Sequence, residues 1–261
     1  MSGPTRLDLV LVARGLARSR SQAQALVADG AVRVDGVVVR RPAETVRTGA
    51  SVTAETDPYV SRAAHKLLGA LDDLGLTVHG RALDAGASTG GFSQVLLERG
   101  CEAVHAVDVG TGQLAPLLRD DPRVVVQEQT NLRDLDLAHL GGRPVDLVVA
   151  DVSFISLTLL VEPLTAVTTD EGWLLLMVKP QFEVGRERLG RGGVVRSPAL
   201  HAEAVAVVAD VATAAGWPAH AVVPSRLPGP AGNREFFLLL RRGAAPAPLD
   251  LAAAVEPPGA V

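Results

Sequence analysis

Two lysines, Lys66 and Lys179, stand among twenty-three arginines in this chain of 261 residues. Of these two bases only lysine can give up its proton in a protein, so both positions are candidates for chemistry that arginine cannot perform. Two carboxylates fall at comparable places. Asp151 follows the apolar run PVDLVVA, Lys179 closes GWLLLMV, Glu235 precedes FFLLL, and Lys66 lies in YVSRAAHKL just ahead of RALDA. A lysine desolvated near another cation can act as a base, and a neighbouring carboxylate can orient it, so the set suits removal of a proton from a hydroxyl. Each residue also has a plain structural alternative. Asp151 could cap the helix that follows it, Glu235 could be an exposed strand end, and Lys66 could be a helix-surface charge.

The elements that must bring these four together can be read from the alternation of apolar runs after Pro58. RALDAGA, AVHAVDVG, RVVVQEQ, PVDLVVADVS and GWLLLMVKP read as strands. GGFSQVLLERG, GQLAPLLRDD, SFISLTLLVEPLTAVT and HAEAVAVVADVATAAG read as helices. Alternating βα units imply an α/β fold with a parallel sheet covered on both faces. AHAVVPS and REFFLLLRR follow as a late antiparallel pair at the sheet edge. Pro180 keeps Lys179 in extended backbone. Lys66, Asp151, Lys179 and Glu235 are thus expected at one rim of the sheet.

The first of these strands ends in a glycine-rich turn, D84-A-G-A-S-T-G-G, at the edge where doubly wound sheets bind ligands. A dinucleotide fingerprint needs glycine at its second position so that backbone can approach a pyrophosphate, and Ser88 stands there. The pattern resembles instead the S-adenosylmethionine loop of class I methyltransferases, with Gly86 and Gly90 giving close backbone approach. Twenty-two residues after Gly86 the second strand ends in Asp108, whose carboxylate can accept from both ribose hydroxyls of such a cofactor. After the third strand, Asn131 or Leu132 would supply an adenine-side contact. Loop and acid in this order favour a methyltransferase over a nicotinamide dehydrogenase. The D151-V-S-F turn lacks the prolines used by methyltransferases of exocyclic amines, which disfavours that chemistry.

Net charge is −4 and unevenly placed: residues 1–47 carry +4 and the remainder −8. A basic module on an acidic body suggests a polyanionic partner. LDLVLVARGL sets Leu7, Val10 and Leu11 on one helical face, with Gly15 at a turn. Ser19 or Ser21 could cap a second helix that stops at Gly30, and Asp35-Gly36 reads as a type I′ hairpin turn. Arg18, Ser19, Arg20 and Gln22 gather at the start of that helix, where free N–H groups favour anions; a solvated basic face is the alternative. Residues 183–197 hold four glycines and four arginines and read as a mobile loop able to close over phosphates, or as a plain solvated insertion. From Gly243 the chain is rich in Ala and Pro and is expected to be disordered.

Residues 5–52, through RLDLVL, the RSRSQAQALVADG helix and VRVDG, resemble the small α-L RNA-binding module of small-subunit ribosomal proteins. Over residues 5–242 the chain is similar to the hemolysin A/TlyA family of ribosomal RNA 2′-O-methyltransferases, in YVSR, DAGASTGGF, ADVSFISL, VKPQFEVGRERLGRGGVVR and GNREF. That resemblance implies a class I, Rossmann-like methyltransferase sheet of the FtsJ type at 61–242. It is preceded by an α+β RNA-binding domain at 1–52 and a linker at 53–60, and a disordered tail follows at 243–261. It implies a catalytic tetrad of Lys66, Asp151, Lys179 and Glu235, with Lys179 as general base, Asp151 orienting it, Lys66 positioning substrate and Glu235 holding the lysines. The family often has glycines before its first lysine, where this chain has Ala63, Ala64 and His65. S-adenosylmethionine would be held by Asp84, Gly86, Ser88, Thr89, Gly90, Gly91 and Phe92, by Asp108 and Val109, and by Asn131 or Leu132. RNA would be met by Arg6, Arg18, Ser19, Arg20 and Gln22. The implied substrate is cytidine in 16S and/or 23S rRNA within ribosomal subunits.

Composition narrows the alternatives. Charged residues make up 21% and hydrophobic ones 48%, which excludes a disordered chain. The single cysteine, Cys101, excludes an intramolecular disulfide and a multi-cysteine zinc site, and the six histidines lack metal-ligand spacing, so no metal is expected. No apolar run reaches the roughly 18 residues of a membrane span, and the N-terminal stretch lacks the order of a signal peptide. A cytoplasmic protein without stable membrane association is therefore expected, against the membrane-active role that the hemolysin label suggests. A ribosome-assembly factor that keeps the fold without the activity is the remaining alternative.

Overall fold

A computed structural model describes residues 4–17, 19–55, 57–229, 231–243 and 248–256, which fall into two compact units, Met1–Pro58 and Tyr59–Val261. In the first unit β1 (Thr5–Arg6) leads into α1 (Leu7–Ala13), where Leu7, Val10 and Leu11 form the buried face. Ser19 is the residue that caps α2 (Arg20–Ala28), its Oγ accepting from the Gln22 N–H at 3.2 Å. β2 (Val32–Val34) turns through Asp35 (φ 51°) and Gly36 (φ 85°) into β3 (Val37–Val38), the paired positive φ of a type I′ hairpin. β4 (Thr45–Val46) pairs with β1, and β5 (Val52–Ala54) pairs with β2. The module's sheet therefore runs past residue 52, and Glu55 N–H still donates to the Ala31 carbonyl.

The second unit begins with α3 (Ala63–Asp73), followed by β6 (Arg81–Ala85), α4 (Gly91–Glu98), β7 (Ala103–Val107), α5 (Pro116–Arg119) and β8 (Val124–Gln127). β9 (Val145–Ala150), α6 (Val161–Ala166), β10 (Thr168–Val178), α7 (Pro180–Glu183), α8 (Pro198–Ala214), β11 (Ala219–Pro224), β12 (Phe236–Arg241) and α9 (Leu251–Val255) complete it. The sheet has the order β11-β12-β10-β9-β6-β7-β8, with β6 to β10 parallel and β12 antiparallel to both its neighbours. Side chains alternate between its faces. Leu83, Val148, Leu174, Phe236 and Leu238 pack against α6 and α8, while Ala82, Leu147, Leu175, Met177 and Phe237 pack against α3 and α4. Phe236 and Phe237 are both fully buried, one on each face. Burial of such a side chain contributes roughly 1.5–3 kcal/mol.

Three segments differ from the sequence reading. The helix expected from Ser153 is delayed: Phe154 takes a left-handed backbone (φ 66°), a short 3-10 turn spans Leu157–Leu159, and α-helix starts only at Val161. The tail is not without structure, because Asp250 caps α9 through the Ala253 N–H and Arg234 donates to the Ala254 and Val255 carbonyls at its far end. The return limb of the arginine-rich segment 183–197 is tied down by Asn233, which accepts from the Val195 N–H at 2.9 Å and donates to the Gly193 carbonyl at 3.1 Å. Among the described residues no helix is long and apolar enough to cross a membrane.

Candidate active site

Asp84 occupies the penultimate position of β6 and has no exposed surface. Its Oδ2 accepts from both the N–H and the Oγ of Ser93 in α4, at 2.8 and 2.7 Å, while its Oδ1 is buried with no partner. Burial pushes the carboxyl up to about 7 in spite of the two Ser93 bonds, and the charges of Asp151 and Asp108 add to the rise. The chain then turns at Gly86 (φ 87°), where a Cβ would lie 2.7 Å from the Asp151 backbone oxygen. Gly91 has the same constraint from the other side, since a Cβ there would fall 2.2 Å from Ser61 Oγ. A cleft opens beside this turn, and Asp84, Gly86, Ser88, Thr89, Gly91 and Phe92 all line it.

Asp151 and Lys179 face the same cleft. Lys179 follows β10 with extended backbone (φ −113°, ψ 100°), and Pro180 opens α7 behind it. Its Nζ lies 2.6 Å from Asp151 Oδ1, an ion pair set off the hydrogen-bond direction, and donates to Ser153 Oγ at 2.9 Å. Register explains how Glu235 joins them. Phe236 of β12 is paired with Val178 of β10, so Glu235 and Lys179 are the next residues along on neighbouring strands. Glu235 forms no ion pair with Lys179, however. It binds Lys66, whose Nζ comes from the first turn of α3 to 2.5 Å from Glu235 Oε2. The four residues therefore form two pairs, Lys179–Asp151 on the cleft and Lys66–Glu235 buried beside it.

A second, shallower cleft adjoins the loop and is lined by Ser88, Asp108, Gly110, Gln113 and Glu128. Asp108 is fixed there by two backbone donors, Ser88 N–H at 2.8 Å and Gly110 N–H at 2.7 Å, one on each oxygen. Ser88 Oγ in turn donates to Gln113 Oε1 at 3.0 Å. Val109 is 74% exposed and lines neither cleft. The same is true of Asn131, whose side chain caps the next turn through the Arg133 N–H, and of Leu132, which is buried in the core. Gly90 also lies off the lining, with Leu114 and Leu118 against it.

Residues 59–242, which hold the cleft and the whole of this sheet, match the FtsJ-like methyltransferase family. The chain belongs to the FtsJ-like methyltransferase family. Its first unit matches the S4 domain over residues 5–52. This methyltransferase is 52% identical over 245 residues to the 16S/23S rRNA (cytidine-2′-O)-methyltransferase TlyA of Mycobacterium tuberculosis, covering 92% of this chain and 91% of that protein. It is 35% identical to the 23S rRNA (cytidine-2′-O)-methyltransferase TlyA of Campylobacter jejuni, over 69% of each chain. A solved structure from Streptococcus thermophilus that carries a hemolysin label superposes with a TM-score of 0.76 at 35% identity, covering 98% of this chain and 95% of the other.

In the S4 unit of this methyltransferase, Arg6 and Arg20 converge on Asp8, which is fully buried. Arg6 above all, with Gln24 and Arg20, holds the Asp8 carboxyl well below the usual carboxylate range. The two arginines keep 40% and 56% of their side chains exposed, so they can still present charge outward. Arg18 lies outside the described residues. Sequence reasoning missed Ser61, Ser93, Ser153, Gln113 and Glu128. Ser61 and Ser153 lie inside the YVSR and DVSF motifs, whereas Ser93, Gln113 and Glu128 carry no signal until the loop geometry is known.

Proposed function

We propose that this methyltransferase modifies ribosomal RNA at a ribose 2′-hydroxyl, of cytidine as in its named relatives, with S-adenosylmethionine as methyl donor. The reading is carried by the Lys179–Asp151 pair, 2.6 Å apart and open to the cleft beside the glycine turn. The cleft's form suits the donor. Gly86 and Gly91 line it at points where a Cβ would press on the Asp151 backbone oxygen and on Ser61 Oγ, and the partnerless Oδ1 of Asp84 marks where an acceptor is left over. Asp84, Gly86, Ser88, Thr89, Gly91 and Phe92 would hold its amino-acid portion, and Asp108, with each oxygen already oriented by one N–H, would take its ribose hydroxyls. Bound there, S-adenosylmethionine supplies an activated methyl group to an oxygen nucleophile.

A ribose hydroxyl is a weak nucleophile until its proton is drawn off, and that task falls to Lys179 Nζ. Asp151 stabilises the ammonium that results, and Ser153 Oγ fixes the direction of the amine. Lys66 and Glu235 act as positioning residues, anchoring α3 to the strand end next to Lys179. Arg6, Ser19, Arg20 and Gln22, together with Arg18, would engage structured RNA from the S4 unit. Such an enzyme works where ribosomes are assembled, in the cytoplasm.

The test is methyl transfer from isotopically labelled donor to purified 30S and 50S subunits, followed by mapping of the modified nucleotide. Label on a ribose 2′-oxygen is the expected result. Label on a base, or none on either subunit, overturns the reading.

A further inference from the structure

Glu183 closes α7 four residues after Lys179. Its carboxylate is half-buried, and that burial raises its pKa above the ordinary value. Both oxygens reach across to the segment that leaves β9. Ser156 Oγ donates to Oε2 at 2.5 Å and the Leu157 N–H donates to Oε1 at 2.9 Å. Ser156 has one hydroxyl proton, which goes to Glu183, so at the 2.6 Å contact between Ser156 Oγ and Thr158 Oγ1 the donor is Thr158. The Ser156 oxygen also accepts from the Thr158 N–H at 3.2 Å, which starts the 3-10 turn.

Two chain segments are thereby joined along their length. Asp151 and Ser153 meet Lys179, the Phe154 ring lies 5.2 Å from that of Phe182, and Ser156 and Leu157 meet Glu183. At its near end the β9 segment is anchored by the Asp151 N–H on the Ala85 carbonyl. Between the anchors stands Phe154 in a left-handed conformation (φ 66°), which a bulky residue keeps only when its surroundings hold it. Among the described residues, Glu183 is the charged side chain that bonds to the far end of that span.

We propose that Glu183 is a positioning residue for methyl transfer: by bridging Ser156 and Leu157 to α7 it sets the angle at which Asp151 and Ser153 meet Lys179 Nζ. This rests on the base role assigned to Lys179 above. Removing the bridge frees the segment 151–157 at one end while leaving the sheet and the glycine turn in place.

Because the chain has two lysines, incorporation of lysine labelled with carbon-13 at Cε gives two side-chain correlations in an NMR spectrum of the full chain. Lys66→Arg and Lys179→Arg each remove one and so assign them. In Glu183→Ala the Lys179 correlation moves and the Lys66 correlation stays. The same variant loses roughly 10- to 100-fold in kcat, as expected when reacting groups are misplaced by an ångström or less. Its affinity for S-adenosylmethionine, read by calorimetry, does not change. Glu183→Gln keeps an acceptor for Leu157 and recovers most of both signals. If Glu183→Ala does not fold, Ser156→Ala removes one of the two bonds and is read in the same way.

A Lys179 correlation that does not move, an unchanged kcat, or a kcat loss matched by loss of donor affinity overturns the proposal. If wild type transfers no methyl group to RNA, the ribose reading fails, and the lysine correlations still decide whether Glu183 positions Lys179.

Discussion

Lys66 and Glu235, 169 residues apart in sequence, form an ion pair of 2.5 Å in which the side chains keep only 8% and 1% of their surface exposed. Gly229 leaves room for it, since a Cβ there would lie 2.6 Å from Glu235 Oε1. Removing one member of a buried pair strands the other charge at a cost of about 3–5 kcal/mol, whereas replacing both by apolar groups can be neutral. Lys66→Met is therefore expected to lower the unfolding free energy by that amount in chemical denaturation. The double variant Lys66→Met/Glu235→Leu should regain most of it. A double variant as unstable as the sum of the singles would show that the pair is not coupled.

Lys179→Arg keeps the positive charge beside Asp151 but provides no site to accept a proton. Single-turnover methyl transfer to ribosomal subunits should fall by at least about 100-fold, the usual contribution of a general base. Calorimetric affinity for S-adenosylmethionine should be retained, because the glycine turn is untouched. Wild-type turnover in this variant would exclude Lys179 as the base.

The positions of these residues were legible from sequence because strand ends are marked by where apolar runs stop, and the sheet places such ends on one rim. Their pairing was not. It depends on β12 entering the sheet beside β10 and on α3 delivering Lys66 to Glu235, neither of which local periodicity encodes. The surroundings of Asn131 and Leu132 are hidden in the sequence for a related reason. Asn131 and Leu132 sit after the third strand as foreseen, but one side chain caps a turn and the other fills the core. The apolar spacing after Asp151 reads as continuous helix because it hides the left-handed Phe154. The order at α9 arises from Arg234, a residue too far away in sequence for composition to report.

Asp84 gives a pH signature. Its folded-state pKa, pushed by burial from 3.8 up to about 7, means that the folded protein holds this proton more tightly than the unfolded chain does. The stability so added is complete below about pH 4 and is lost as pH rises through about 7. Asp84→Asn removes the titration while keeping an acceptor for Ser93. The difference in unfolding free energy between wild type and this variant should therefore decline by a few kcal/mol across that window and level off above it. A difference independent of pH would show that Asp84 titrates at its ordinary value.

Phe154 is 91% exposed, held at a φ of 66°, and follows Ser153, which lines the cleft with Asp151. A bulky apolar side chain in that conformation adds little to the core and carries a backbone penalty of about 1–2 kcal/mol. Its ring, backed by Phe182 at 5.2 Å, presents a face on which an unpaired nucleobase could stack under the proposed function. Base–aromatic stacking is worth about 1–3 kcal/mol, so Phe154→Ala should raise KM for the RNA by roughly 5- to 150-fold. The same substitution should leave thermal stability nearly unchanged, and Phe154→Trp should keep the wild-type KM, because any aromatic face serves. An unaltered KM in Phe154→Ala would mean that the base is held elsewhere.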